Sequence, residues 1–328
     1  MKFLKLIRWP NLFIIAFTMY TIRFFLVRAI LQSAYLDLLF TQQQFFALVL
    51  STLFIAAGGY IINDYFDLAI DRINKPDKVF IGNIITTQQA LVLHTILSLV
   101  GIAIALVLGI KVGVYKLAVI QAITVGLLWF YSSEFKRQFL IGNLVIALLS
   151  GLVPLIVVAF EMPLLIANFK TIIIENEDAF MLNKNIPLAM LQNLHTVWIF
   201  VISFAAFAFL LTLIREIIKD TEDYVGDEAY GCRTIPVKLG VANTKKIIIG
   251  LCILVVTLLG ILQYKQFIVK DYFSMIYTIV FVTLPLLILC YLILNANTKK
   301  HFSKASIFSK IIMVLGVGYC FVFYWLMR

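Results

Sequence analysis

The chain has 328 residues, 62% of them hydrophobic and 13% charged, and a formal net charge of +10. Soluble domains carry about 45–50% apolar and about 25% charged residues, so this composition excludes a water-soluble globule, a disordered chain and a secreted disulfide scaffold. Stretches 89–110, 140–160 and 272–294 hold no Asp, Glu, Lys or Arg, and about 18 such residues suffice to cross a bilayer as a helix.

In chain order the predicted spans are 11–31, 44–62, 89–110, 113–131, 140–160, 194–214, 247–264, 272–294 and 307–327. Hydrocarbon offers a bare backbone no hydrogen-bond partner, so runs this long read as helices, and they are too long for barrel strands. The expected fold is an all-α polytopic membrane protein of nine transmembrane helices, a single domain over 1–328. The first span has a basic start like a signal peptide. Arg23 and Arg28 interrupt it and no small-residue cleavage site follows, so it reads as a retained helix whose arginines face the bundle interior or snorkel.

A cytoplasmic N-terminus places 18 of the 27 basic residues on the inner side. Positive charge marks the cytoplasmic side. The +10 is therefore a topology signal, and nothing points to a nucleic acid or an obligate protein partner. The expected location is a bacterial or archaeal cell membrane. The four cysteines are scattered without a CxxC pair, and His94, His195 and His301 are isolated, so both types read as packing residues. The loop 161–193, with Glu161, Glu175, Glu177 and Asp178, is expected on the outer side and carries no functional signal.

The acidic residues are distributed differently. Nine of the 17 fall in two inner segments: Asp64, Asp67, Asp71 and Asp77 after span two, and Asp220, Glu222, Asp223, Asp227 and Glu228 after span six. Carboxylates clustered at a membrane boundary repel one another, which suggests a bound cation or a function. Both segments place aspartates at i, i+3 and i+7, positions that share one face of a continuing helix. One offset of 156 residues relates 64, 67 and 71 to 220, 223 and 227. Four spans separate the clusters, so orientation is preserved. This suggests two four-helix pseudo-repeats, about 1–138 and 139–306, with a ninth helix at 307–327 and a site at their interface.

Two facing aspartate sets suit a hard divalent ion. Mg²⁺ takes one or two carboxylates together with phosphate oxygens, and the lack of His or Cys in either cluster disfavours zinc. Arg72, Lys75, Lys78, Lys136, Arg137, Arg233 and Lys238 lie on the same side. Basic residues beside a metal-bridged diphosphate stabilise charge on a leaving group.

Asn63-Asp64-x-x-Asp67-x-x-x-Asp71 resembles the first aspartate motif of the UbiA superfamily of intramembrane prenyltransferases. Asp223-x-x-x-Asp227, followed by Gly231-x-Arg233-Thr234, resembles the second, and Tyr131 with Lys136-Arg137 is similar to the family's Tyr/Lys element. Within the family, Arg215-Glu216-x-x-Lys219-Asp220, Gly142-Asn143 and Arg8-x-x-Asn11 are similar to the geranylgeranylglyceryl-phosphate geranylgeranyltransferase branch. The family often reads Asn-x-Pro-x-Arg-Pro after the first motif. Here the run is Asn74-Lys75-Pro76-Asp77-Lys78-Val79, and lysine lacks the bidentate fork of arginine.

The resemblance implies two Mg²⁺ ions, one on Asp64, Asp67 and Asp71 and one on Asp223 and Asp227 with Asp220 assisting. It implies a prenyl diphosphate donor and a lipophilic acceptor. Asn63 and Lys136 would meet the diphosphate, Arg137 and Lys78 would contact substrate, and Tyr131 would stabilise the allylic cation. Arg72, Arg233, Lys238 and Asn11 would contact substrate, the first three at an acceptor phosphate. The favoured acceptor is a prenylglyceryl phosphate, with a quinone-precursor, homogentisate-like or chlorophyll-type acceptor as the alternative. A cation-coupled transporter is the rival from another class, and it would place charge at mid-membrane.

Overall fold

The computed structural model describes residues 2–74, 80–175 and 185–328, with the side chains of 2–3, 70–74, 185–187 and 189 outside the described set. After a short helix, Lys2–Leu6, nine longer helical segments follow among the described residues. They are α1 Trp9–Gln32, α2 Gln42–Asn74, α3 Thr87–Lys111, α4 Leu117–Ser133, α5 Ile141–Glu175, α6 Asn185–Ala229, α7 Ile235–Ile268, α8 Tyr272–Leu294 and α9 Lys299–Leu326. The chain is an integral membrane protein. Apolar side chains such as Leu99, Ile253 and Phe273 stand exposed on the outside of the bundle, as lipid contact allows.

Eight of these helices are long and apolar enough to cross a membrane, and α4, at 17 residues, is shorter. The expected span 113–131 starts too early. Residues 112–116 form a turn, with Gly113 at φ 77°, and α4 begins only at Leu117. Its length of about 25 Å, at 1.5 Å per residue, falls short of a hydrocarbon core of about 30 Å.

Close approach of backbones sets the packing. α2 lies against α3 and α4, and α6 against α5, α7 and α9. At the α2–α3 contact, Ser51 Oγ donates to the Gly101 carbonyl at 2.6 Å, and a Cβ on Gly101 would stand 2.9 Å from the Ser51 carbonyl oxygen. Small residues at such crossings let helices meet where no hydrophobic force drives them together. Thr86 opens α3 with a capping box shared with Gln89, which satisfies two otherwise unpaired amides.

The long outer loop expected at 161–193 is instead mostly helix. α5 runs on to Glu175, through Pro154 and Pro163, and α6 starts at Asn185. Glu161 ends the apolar run in the sequence, but it does not end the helix. Its side chain is 1% exposed and faces Arg23 at 3.3 Å. Glu161 Oε1 also accepts from the Leu39 and Phe40 amides, at 2.6 and 2.8 Å. Arg23 lies in a π-helical turn, Ile22–Val27, donates to the Phe40 carbonyl and sits over the Phe45 ring. A π-turn re-aims side chains by its extra residue, and here it accompanies an arginine turned wholly inward. Arg28 pairs with Asp37 at 3.2 Å, partly exposed. Glu177 and Asp178 lie outside the described residues.

Removing one member of a buried ion pair strands the other. Glu161→Leu is expected to destabilise the protein by about 3–5 kcal/mol, read as thermal unfolding in detergent micelles. Arg23→Met combined with Glu161→Leu should recover part of that loss.

Candidate active site

Both aspartate segments ride on helices that continue past the apolar runs. α2 carries Asp64 and Asp67 on its last three turns, and α6 carries Asp220, Asp223 and Asp227 on its own. The i, i+3 spacing therefore produces shared faces, as the sequence requires. The side chains of Asp71 and Arg72 fall outside the described set, and Asp77, Lys75 and Lys78 lie outside the described residues.

Ion pairs gather these helix ends. Arg8, just before α1, donates to Asp64 Oδ1 at 2.7 Å and lies over the Tyr60 ring at 5.1 Å. Burial alone would lower the Arg8 pKa, but the charge and hydrogen bond of Asp64 outweigh it and hold that pKa above the ordinary value. Lys136 Nζ stands 2.6 Å from Asp67 Oδ1, and Asn63 Nδ2 donates to Asp67 Oδ2 at 2.8 Å. Asn143, on the first turn of α5, donates to Asp220 Oδ2 at 2.7 Å. Lys299, at the start of α9, is 4.0 Å from Asp223 Oδ1. The Tyr230 hydroxyl donates to the Ala69 carbonyl at 2.9 Å, which ties the end of α6 to the end of α2.

Lys136 sits on the short 3-10 turn Phe135–Arg137 between α4 and α5. Gly142 is what lets that turn close. A Cβ at 142 would lie 2.7 Å from Lys136 Cα and 2.8 Å from the Phe135 carbonyl oxygen. Tyr131, half-buried at the end of α4, is close enough to feel Glu216, Asp220 and Asp67. It thus stands between the two motifs.

The remaining sequence candidates are placed less centrally. Arg137 is exposed, and its carbonyl accepts from the Arg233 amide at 2.7 Å. The Arg233 and Lys238 side chains are exposed. Asp227 is half-buried beside the loop that ends α6. Asn11 accepts from Lys310 Nζ at 2.9 Å.

Several residues join the site without an aspartate-like signal. Arg8 and Asn143 are visible in the sequence only through the family resemblance. Lys310 reads there as positive-inside charge, and Tyr60 carries no signal. Arg215 and Lys219 bond to Glu216, the latter at 3.5 Å, a local pair that spacing alone does not distinguish from a solvated helix face.

The donor set is all oxygen: aspartate carboxylates and amide groups. Among the described residues no three carboxylates, imidazoles or thiols converge on one point. Paired carboxylates that leave coordination positions for a phosphate ligand suit Mg²⁺ better than a closed protein cage does. Further into the bundle an apolar cavity lies between α1, α5, α6 and α9, lined by Thr18, Ser150, Pro154, Phe204, Phe207 and Met313. Its wall residue Ala208 is 12 residues before Asp220 on α6, about 18 Å along the axis.

The sequence pattern of the UbiA prenyltransferase family matches residues 24–315. The digeranylgeranylglyceryl phosphate synthase of Saccharolobus solfataricus is 32% identical over 80% of this chain and 78% of its own length. That of Sulfurisphaera tokodaii is 34% identical over 62% of this chain; the match spans 60% of that relative's length, under two thirds. A solved UbiA homologue from Archaeoglobus fulgidus, bound to GPP and Mg²⁺, shares the fold with a TM-score of 0.53 at 16% identity, covering 99% of each chain.

Gly142→Ala is expected to push the Lys136 turn outward at a cost of about 1–3 kcal/mol, as overpacking does. The check is a carbodiimide cross-link between Lys136 and Asp67, read by peptide mass spectrometry. It should form in the parent protein and be lost in the variant.

Proposed function

Because this chain belongs to the UbiA prenyltransferase family, we propose that it transfers a prenyl group, geranylgeranyl favoured, from an allylic diphosphate to the hydroxyl of a prenylglyceryl phosphate. The observation that carries the reading is the meeting of two aspartate-bearing helices, with Arg8, Lys136 and Asn143 against their carboxylates, at one end of an apolar bundle. The names of the relatives support the acceptor. The GPP and Mg²⁺ bound to the Archaeoglobus homologue support the donor class and a divalent ion.

In this reading Asp64, Asp67 and Asp71 hold one Mg²⁺, and Asp223 and Asp227 hold a second with Asp220 beside it. Bound there, Mg²⁺ would neutralise charge on the departing diphosphate. The chain's own residues do the rest. Lys136 stands beside Asp67 and meets the diphosphate oxygens with a cation, while Asn63 orients Asp67. Arg137 at the rim attracts the anionic headgroup. The bond between the allylic carbon and the diphosphate oxygen breaks, and the electron pair leaves with diphosphate. Tyr131, near both motifs, stabilises the carbon that becomes positive. The acceptor hydroxyl oxygen attacks that carbon, and its proton passes to a carboxylate or to the departing diphosphate.

The apolar middle of the bundle takes the prenyl tail and keeps water from the cation. The aspartates lie at one end of the bundle rather than at mid-membrane, which disfavours a transporter. The active site and the N-terminus face the cytoplasm in this reading, following the basic residues.

The test is prenyl transfer by purified protein with Mg²⁺, geranylgeranyl diphosphate and each acceptor in turn. Geranylgeranylglyceryl phosphate should be the best acceptor, and chelation of Mg²⁺ should stop turnover. Asp67→Ala and Asp223→Ala should each lower kcat by roughly 10²–10³-fold, the scale of lost leaving-group stabilisation. Full activity in either variant would sink the metal assignment.

A further inference from the structure

We propose that Arg215, Lys219 and Lys310 form a separate anion subsite that takes the phosphate monoester of the acceptor, leaving the aspartates and Lys136 to the diphosphate. The proposal rests on the prenyl-transfer reading and deepens it.

Arg215 and Lys219 stand four residues apart on α6, on one helix face, and Lys219 is followed directly by Asp220. Lys310 comes in from α9 and donates to Asn11 of α1 at 2.9 Å. α9 packs against α6 and α1, which brings the Lys310 amine within electrostatic range of Arg215, Lys219, Glu216 and Arg8. Arg8 is already bonded to Asp64. Glu216 is the carboxylate held within the group, 6% exposed, bonded to Arg215 and Lys219. Three cations around one carboxylate leave positive charge in excess; Asp220, next along α6, is bonded to the neutral Asn143.

That excess has a cost. The Arg215 and Lys219 side chains are only 15% and 28% exposed, and like charges pressed together at low dielectric repel strongly. The Arg215 Nε hydrogen is buried without an acceptor, a donor left open inside the cluster. A phosphate monoester carries about −1.5 to −2 charges at neutral pH and three acceptor oxygens, which matches both the charge and the open donor. Arginine beside lysine offers a fork and a point charge for one phosphate.

The cations of the two groups come from different elements. Lys136 approaches Asp67 from the α4–α5 turn, whereas Lys310 approaches from α9. In a glyceryl phosphate the reacting hydroxyl lies only a few bonds from phosphorus. A phosphate held in this cluster would leave that hydroxyl near the end of α6 that carries the aspartates. Arg233 and Lys238, suggested for this task by the sequence, are exposed and lack that enclosure.

The experiment is equilibrium binding to the full chain in detergent by titration calorimetry. The probes are geranylgeranylglyceryl phosphate, its dephosphorylated alcohol and geranylgeranyl diphosphate. The parent protein should prefer the phosphate to the alcohol. Lys310→Gln should weaken the acceptor phosphate roughly tenfold or more, the loss of one charge-assisted hydrogen bond, and leave the alcohol and the diphosphate unchanged. Lys310→Arg should restore most of the affinity. Lys219→Gln serves as an independent second variant. Weakened diphosphate binding with intact acceptor binding would assign the cluster to the donor and overturn the proposal. Unchanged acceptor binding, or no preference for phosphate in the parent, would overturn it too. A parent that binds the acceptor phosphate but transfers nothing to it would overturn the reaction and keep the subsite.

Discussion

A carboxylate near hydrocarbon is tolerated only with a cation or a hydrogen-bond donor held against it, because desolvation penalises an unpaired charge heavily. At the aspartate end of this bundle each such partner comes from a different part of the chain. Asp64 takes Arg8 from before α1, Asp67 takes Lys136 from the α4–α5 turn, and Asp220 takes Asn143 from α5. The pairs therefore hold five chain segments in register as well as neutralising charge. Packing alone would leave helices of such uniform greasiness free to slide, since lipid solvates them as well as they solvate one another.

The same rule operates at the other end. Arg23 and Glu161 sit among apolar side chains and tie α1 to α5, and through the Leu39 and Phe40 amides to the segment entering α2. Charge thus pins the bundle at both ends, and the apolar cavity lies between them. In the proposed reaction that division is useful. The polar end handles the diphosphate and the acceptor phosphate, while the middle keeps a reactive carbon away from water.

Much of this was legible in the sequence because hydrocarbon constrains backbone so tightly. Long uncharged runs must be helices, and eight of the nine spans meet that requirement by length and composition. The i, i+3 aspartates also declare a helix face without any knowledge of what faces them. The failures have one cause. Reading a span as ending at its first charge misplaced Glu161 into a loop, although its arginine partner is 138 residues away and cannot be found by local pattern. The turn before α4 misled in the opposite direction, because Val114 and Tyr115 are apolar enough to pass as membrane residues.

The site shows the same division. Two motifs related by a constant offset are a matter of sequence, and so is the oxygen-rich character of the donor set. Gly142 is marked in the sequence only by the family resemblance, and the fold supplies the reason, because the Lys136 turn lies where a Cβ would be. Lys310 was one lysine among many on the basic side, and became part of a site only when α9 brought it beside Asn11. By itself the sequence determined the chain's solvent, its helices and the presence of two aspartate faces, because these depend on composition and spacing within one segment. Only the tertiary structure decided which cation meets which carboxylate and where positive charge is left in excess, because a pairwise electrostatic contact depends on distances between segments that no single stretch of chain encodes.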